Sequence, residues 1–257
     1  MASSLIRLFS TDLDGTLLGN PEAAWRFSEA WQSLPLGRRP LLVYNTGRSV
    51  ADTQSIVAAR QLPEPEFIIG SVGTELHNAI YNWGDDFHAQ FGPSWCLERV
   101  DEIVGSTPGV KRQHTPDACH AFKSSWFWER ARPEELGDLE QRLLAAKIEA
   151  VVIYSCRYFL DIVPVQAGKG RALEWLCQRL AIATSEVLVA GDTANDSAMF
   201  QLKGVNGIVV ENALPELLTA VNARRTYLAR RPMADGVLEG LAHFGVLLDA
   251  EASVVAE

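Results

Sequence analysis

Short apolar runs, each ending in a polar, glycine-containing loop and followed by a helical pattern, constrain this chain more than any other feature. Leu5, Ile6, Leu8 and Phe9 lead into Thr11-Asp12-Leu13-Asp14-Gly15-Thr16, a buried strand entering a turn. Pro21 to Leu34 then suits a helix with proline in its first turn. The pattern repeats at Leu41 to Tyr44, which ends at Asn45-Thr46-Gly47-Arg48 before a helix from Ser49 to Arg60. Phe67 to Gly70, Val187 to Ala190 and Gly207 to Val210 supply three more apolar runs. Strands alternating with helices imply an α/β fold with a parallel sheet covered on both faces. Ligands of such folds gather where the carboxyl ends of the strands meet the following loops, and the three most polar loops lie there.

The stretch from Ala79 to Val163 differs in texture. A strand is expected from His120 to Trp128, with Lys123, Ser125 and Phe127 on one side and Trp126 and Trp128 on the other, where core packing of the tryptophans is favoured over sugar stacking. A helix follows from Pro133 to Lys147, where Leu136, Leu139, Leu143 and Leu144 form one apolar stripe, then strands at Val151 to Ser155 and Tyr158 to Val163. Residues 79–163 therefore read as an inserted α+β cap, and residues 1–78 and 164–257 as the core that carries it. The tail after Asp249 is expected to fray.

Several function classes are disfavoured. A formal net charge of -9 over 257 residues argues against a nucleic-acid footprint, which needs clustered Lys and Arg. No apolar run approaches the ~20 residues that span a bilayer, and Met1-Ala2-Ser3-Ser4 does not open a signal segment, so no membrane partner and a cytoplasmic location are expected. Cys96, Cys119, Cys156 and Cys177 are scattered without zinc-ligand spacing and read as reduced thiols. His77, His88, His114, His120 and His243 show no metal spacing either. Nothing in the sequence specifies an oligomeric state.

Chemistry concentrates in the strand-end loops. Asp12 and Asp14 flank one residue, so one carboxylate can stay ionised as a nucleophile on phosphorus while the other carries a proton for the leaving oxygen. Gly15 permits a tight path and Thr16 offers a hydroxyl. Gly191-Asp192-Thr193-Ala194-Asn195-Asp196 brings a second acidic group to a neighbouring strand end. Asp12, the Asp14 carbonyl and Asp192 form a hard-oxygen set suited to Mg²⁺, with Asp196 behind them. Asn45, Thr46, Gly47 and Arg48 precede a helix whose N-terminus can meet phosphate oxygens, and Lys169 opens another helix with a point charge. Each piece alone has a plain reading: a solvated Asp-x-Asp-Gly turn, an acidic helix cap, a surface lysine.

As an ordered set these segments resemble the haloacid dehalogenase (HAD) superfamily, whose signature runs DxDGT, a strand-terminal Ser or Thr, a Lys, then GDxxxD. The resemblance implies a Rossmann-like parallel-sheet core with a C2-type cap, Asp12 as nucleophile, Asp14 as acid/base, Thr46 and Lys169 holding phosphate, and Asp192 as a metal ligand. It narrows to the sucrose-phosphatase-like branch through Asn45-Thr46-Gly47-Arg48-Ser49, Gly70-Ser71-Val72-Gly73-Thr74-Glu75, Val209 to Leu217 and Ala234 to Leu241. The segment Lys123-Ser124-Ser125-Trp126-Phe127 is more similar to bacterial mannosylfructose-phosphate phosphatases, and Thr193 stands where sucrose phosphatases usually carry Ser.

The implied activity is Mg²⁺-dependent hydrolysis of a small sugar phosphate, mannosylfructose-phosphate or sucrose-6-phosphate, through an aspartyl-phosphate on Asp12. Thr16, Asn45, Gly47, Arg48, Lys123 and Asn195 are the expected substrate-binding residues. A phosphosugar mutase built on the same core, a phosphatase for another small sugar phosphate and a non-enzymatic sugar-phosphate binder are the competing readings.

Overall fold

The computed structural model describes residues 5–114 and 119–247; the tail after Asp249 lies outside them. Its first half runs β1 (Leu8–Thr11), α1 (Pro21–Ser33), β2 (Leu41–Asn45), α2 (Val50–Ala58), β3 (Phe67–Gly70), β4 (Glu75–His77), α3 (Gly84–Ala89), α4 (Leu97–Gly105), β5 (Val110–Arg112), β6 (Cys119–His120) and β7 (Lys123–Trp128). The second half runs α5 (Pro133–Ala145), β8 (Ala150–Ser155), β9 (Phe159–Pro164), α6 (Lys169–Leu180), β10 (Val187–Gly191), α7 (Ser197–Phe200), β11 (Asn206–Val209), α8 (Pro215–Ala220), β12 (Thr226–Leu228) and α9 (Met233–His243).

Seven strands form one sheet in the order β12-β11-β10-β1-β2-β3-β4. All its pairs are parallel except β3 with β4. The central strands are buried at every position because both faces are covered, which is why their sequences are continuously apolar rather than alternating. On one face Phe9, Leu42, Tyr44 and Leu188 pack against Phe27 and Trp31 of α1 and Val237 and Leu241 of α9. On the other, Leu8, Val43 and Val189 pack against Leu173 and Leu176 of α6, Met199 of α7 and Leu217 of α8.

Helix starts follow local chemistry. The Asn20 side chain accepts from the N–H groups of Glu22 and Ala23, Pro21 fills the first turn of α1, and Ser49 caps α2 by accepting from the Asp52 N–H. Gly170, in the first turn of α6, faces the Ala198 carbonyl of α7 so closely that a Cβ would lie far inside van der Waals contact.

A second sheet, β5-β7-β9-β8 with β6 paired to β7, is antiparallel throughout. One face is closed by α4 and α5: Trp126, Trp128, Leu160 and Ile162 bury against Val100, Val104, Leu139 and Leu143. The tryptophans thus pack into a core, as their alternation with Lys123 and Ser125 predicts. Phe87 and Phe91, at and just after α3, join the cluster around Phe67 and Leu173 of the larger sheet.

Two expectations need correction. The strand expected from His120 to Trp128 is broken after His120: β6 and β7 form a hairpin in which His120 pairs with Lys123 across a two-residue turn. Leu144 is exposed rather than part of the buried stripe, because Leu139 and Leu143, four residues apart, already occupy the face turned to the sheet.

The tight seat of Gly170 yields a stability prediction. Gly170→Ala should lower unfolding free energy by about 1–3 kcal/mol through overpacking against Ala198. Chemical denaturation is the measurement; an unchanged midpoint would mean that α6 and α7 separate without cost.

Candidate active site

The site grows from three adjacent strand ends. Thr11 of β1 is level with Ala190 of β10 and Tyr44 of β2, so the next residues, Asp12, Gly191 and Asn45, stand side by side at the carboxyl end of the sheet. Gly15 turns the first loop at φ +82, and its bare Cα lies against the Asp192 carboxylate, where a Cβ would collide with Oδ2. The two acidic loops are in direct contact there. Thr16, fully buried, points its hydroxyl at Asp192 Oδ1 at 3.4 Å.

At the centre stands Lys169, 1% exposed. Its ammonium donates to Asp12 Oδ1 at 2.6 Å, Asp196 Oδ1 at 2.6 Å and Asn195 Oδ1 at 3.3 Å. Burial alone would lower its pKa, but Asp12 and Asp196 raise it above the ordinary lysine value, so it stays charged. The second oxygen of Asp196 accepts from the backbone N–H groups of Asp192 and Thr193, which ties the third loop to the lysine. Burial pushes Asp12 up to about 7 despite Lys169, and burial followed by repulsion from Asp12 and Asp196 pushes Asp192 up to about 8.

Other expected residues are placed as follows. Asp14 is turned outward, paired in bidentate fashion with Arg48 at 2.6 and 2.7 Å, and Arg48 also holds Asp52 at 2.5 Å. Asn45 is buried and donates its amide to the Lys169 carbonyl at 3.0 Å and the Met199 sulfur at 3.2 Å. It positions the lysine rather than facing the crevice. Thr46 is fully buried, and its hydroxyl accepts from the Arg48 N–H at 3.2 Å. Asn195 accepts from the Thr193 hydroxyl as well as from Lys169.

The N-terminus of α2 is not the open anion seat its sequence predicts. Glu75 accepts from the Val50 N–H at 2.8 Å and the Ser71 hydroxyl at 3.0 Å, so an acidic side chain of this chain takes the first N–H of the helix.

From the second sheet, Lys123 reaches the larger one. It is buried, with its ammonium 3.4 Å from the Gly47 carbonyl and 3.8 Å from Asp161 Oδ1. Ser125 donates to the same Asp161 oxygen at 2.5 Å. Asp161 escaped the sequence reading; its place opposite Ser125 in the β7–β9 pair is the signal that reveals it. Burial raises the Cys156 thiol, and the carboxylates of Asp192, Glu216 and Asp12 add to it. His120 bonds Thr74 Oγ1 at 2.9 Å, and burial lowers it to about 4.

A divalent cation fits these donors. Carboxylate oxygens of Asp12, Asp192 and Asp196 lie within 4.8 Å of one another. Both Asp196 oxygens are committed to Lys169 and to backbone N–H groups, which leaves Asp12 Oδ2 and Asp192 Oδ2 as the free hard donors. Three carboxylates around one ammonium leave negative charge to neutralise.

The family model for sucrose-6F-phosphate phosphohydrolase matches residues 5–245. Mannosylfructose-phosphate phosphatase of Agrobacterium fabrum is 42% identical over 243 residues, 94% of this chain and 98% of that protein. Probable sucrose-phosphatase 2 of Arabidopsis thaliana is 31% identical, over 91% of this chain but only 58% of its own length. The sucrose-phosphatase structure from Synechocystis sp. PCC6803, in complex with sucrose and phosphate, superposes with a TM-score of 0.85 at 28% identity, covering 95% of this chain and 99% of that one.

The raised carboxyls carry a pH signature. Asp12 near 7 and Asp192 near 8, against 3.8 for an ordinary aspartate, mean that the folded protein keeps protons the unfolded chain has lost. Their stabilising contribution is therefore present below about pH 4 and lost as pH rises through 7 to 8. Metal-stripped protein should show a melting temperature that falls between pH 6 and 8.5, and a divalent cation should remove most of the fall. A pH-independent melt, or one indifferent to added cation, would show that these carboxyls are not coupled as described.

Proposed function

Since this chain belongs to the sucrose-6F-phosphate phosphohydrolase family within the HAD superfamily, we propose that it hydrolyses a disaccharide phosphate, mannosylfructose-phosphate or sucrose-6-phosphate, to the free disaccharide and inorganic phosphate. The observation that carries this is the buried Lys169 ammonium bridging Asp12 and Asp196 beside Asp192, at the meeting of three strand ends. Residues 1–78 and 164–257 carry the chemistry, and residues 79–163 form the C2-type cap that selects the sugar.

Asp12 is the nucleophile. Lys169 holds its Oδ1, which fixes the carboxylate for attack on phosphorus, forming an aspartyl-phosphate. The same ammonium offsets charge on the phosphoryl oxygens. Mg²⁺, held by Asp12 and Asp192 with the Asp14 carbonyl, would neutralise charge on the transferring group. Asp14 protonates the leaving sugar oxygen and then takes a proton from the water that cleaves the acyl phosphate. For this its carboxyl must come away from Arg48, an exposed pair that is inexpensive to open. Arg48, still anchored by Asp52, then has its other nitrogens available to the substrate, and Thr46 and the Gly47 backbone line the phosphate side of the crevice.

Asp12→Asn should fold normally and release no phosphate from a disaccharide phosphate in the presence of Mg²⁺. Appreciable turnover by a folded Asp12→Asn protein, or an isomerised sugar phosphate as the wild-type product, would overturn the proposal. Lys123→Ala should lower kcat/KM for the disaccharide phosphate by about tenfold, the scale of one charge-assisted hydrogen bond of ~1.5 kcal/mol, while barely affecting a small aryl phosphate. An equal loss on both substrates would assign Lys123 to support of the Gly47 loop instead.

A further inference from the structure

The face of the cap sheet that looks toward the larger sheet carries an aromatic strip in addition to Lys123. Trp126, Trp128, Leu160 and Ile162 point into the α4–α5 core, so strand alternation turns Phe127 and Phe159 the other way, to the side from which Lys123 touches Gly47. Phe127 and Phe159 are register partners across β7 and β9, immediately beyond the Ser125–Asp161 pair. Tyr158 stacks on Phe127 with ring centroids 4.9 Å apart and meets Phe159 edge-on at 5.3 Å. Tyr158 and Phe159 nevertheless remain 41% exposed each. Large aromatics left open on a face that looks into a crevice, next to hydrogen-bonding side chains, have the composition of a small-molecule seat rather than of a core.

Two further observations agree. A cavity of about 570 Å³ opens beside Tyr158, lined also by Glu129, Arg130, Cys156 and Arg157, within the ~300–1,000 Å³ usual for small-ligand sites. Along β7 the path from Lys123 to Phe127 covers about 13 Å, four strand residues, which is room for two hexose rings end to end.

We infer that Phe127, Tyr158 and Phe159 seat the non-phosphorylated ring of the disaccharide phosphate, with Glu129, Arg130 and Arg157 offering hydrogen bonds to its hydroxyls. This rests on the disaccharide-phosphate reading above. The apolar face of a hexose lies on the rings, and Lys123, Ser125 and Asp161 meet the polar edge nearer the phosphate. The strip is a length gauge: it rewards a second sugar and is indifferent to its absence.

The test compares phosphate release from mannosylfructose-phosphate, sucrose-6-phosphate and fructose phosphate by the full chain with Mg²⁺, for wild type, Tyr158→Ala, Phe159→Ala and Phe159→Trp. The ratio of kcat/KM for the preferred disaccharide phosphate to that for fructose phosphate should fall about tenfold in each alanine variant, mainly through KM. It should recover in Phe159→Trp. Free disaccharide should also bind the wild type more tightly than Phe159→Ala by a similar factor, a readout independent of turnover. Phe159→Leu, which keeps the strand's packing, should match the alanine variant if stacking is the cause. A ratio unchanged by the alanine variants, or restored by leucine as well as by tryptophan, overturns the aromatic seat while leaving the disaccharide reading intact. A wild type that hydrolyses fructose phosphate but neither disaccharide phosphate overturns both.

Discussion

A buried ammonium with two carboxylates holds the site together. Lys169 is out of water, and an unpaired charge there would be strongly destabilising; removing one partner of such a group typically costs about 3–5 kcal/mol. Asp12 comes from the end of β1 and Asp196 from the loop after β10, so one side chain at the start of α6 fastens segments far apart in sequence. The helix start is fixed in turn by the Asn45 amide on the Lys169 carbonyl and by the close approach of Gly170 to Ala198. The geometry of the acids therefore depends on backbone packing that permits no side chain at one position and only a buried amide at another.

This arrangement divides labour between the two sheets. The parallel sheet supplies charged groups that must sit within tenths of an ångström, and it does so from loops tied to one another: Gly15 against Asp192, Thr16 on Asp192, Asp196 on the backbone of Asp192 and Thr193. The antiparallel sheet supplies a surface. The face opposite its tryptophans offers one lysine, a hydroxyl–carboxylate pair and aromatic rings. On the function proposed above, positioning for chemistry and selection of the sugar can therefore change independently.

How much of this was legible in the sequence follows from how local each feature is. Strand ends, the Asp12–Thr16 turn and the start of α6 at Lys169 are set by apolar runs and turn residues within a few positions, and they could be read directly. The C2 architecture came from the ordered resemblance. What could not be read were pairings across long sequence separations between groups with several possible partners. Arg48 has cationic character suited to phosphate yet lies on Asp14 and Asp52. Asn45 could have faced the crevice but serves Lys169. Glu75 takes the helix terminus assigned to an anion from outside. In the cap, the turn after His120 and the exposure of Leu144 depended on which neighbours had already filled the sheet, which periodicity does not encode.

Strand β7 carries two different texts on alternate letters: Ser124, Trp126 and Trp128 inward, Lys123, Ser125 and Phe127 outward. Exchanging an outward letter rewrites what the crevice presents without disturbing the packing behind it. Inserting or deleting a single letter does the opposite, since every residue beyond it changes sides, driving tryptophans into the crevice and polar groups into the apolar layer. Chains descended from a common ancestor with this one can therefore drift in the outward letters of this segment, while its inward letters and its length are held almost rigid.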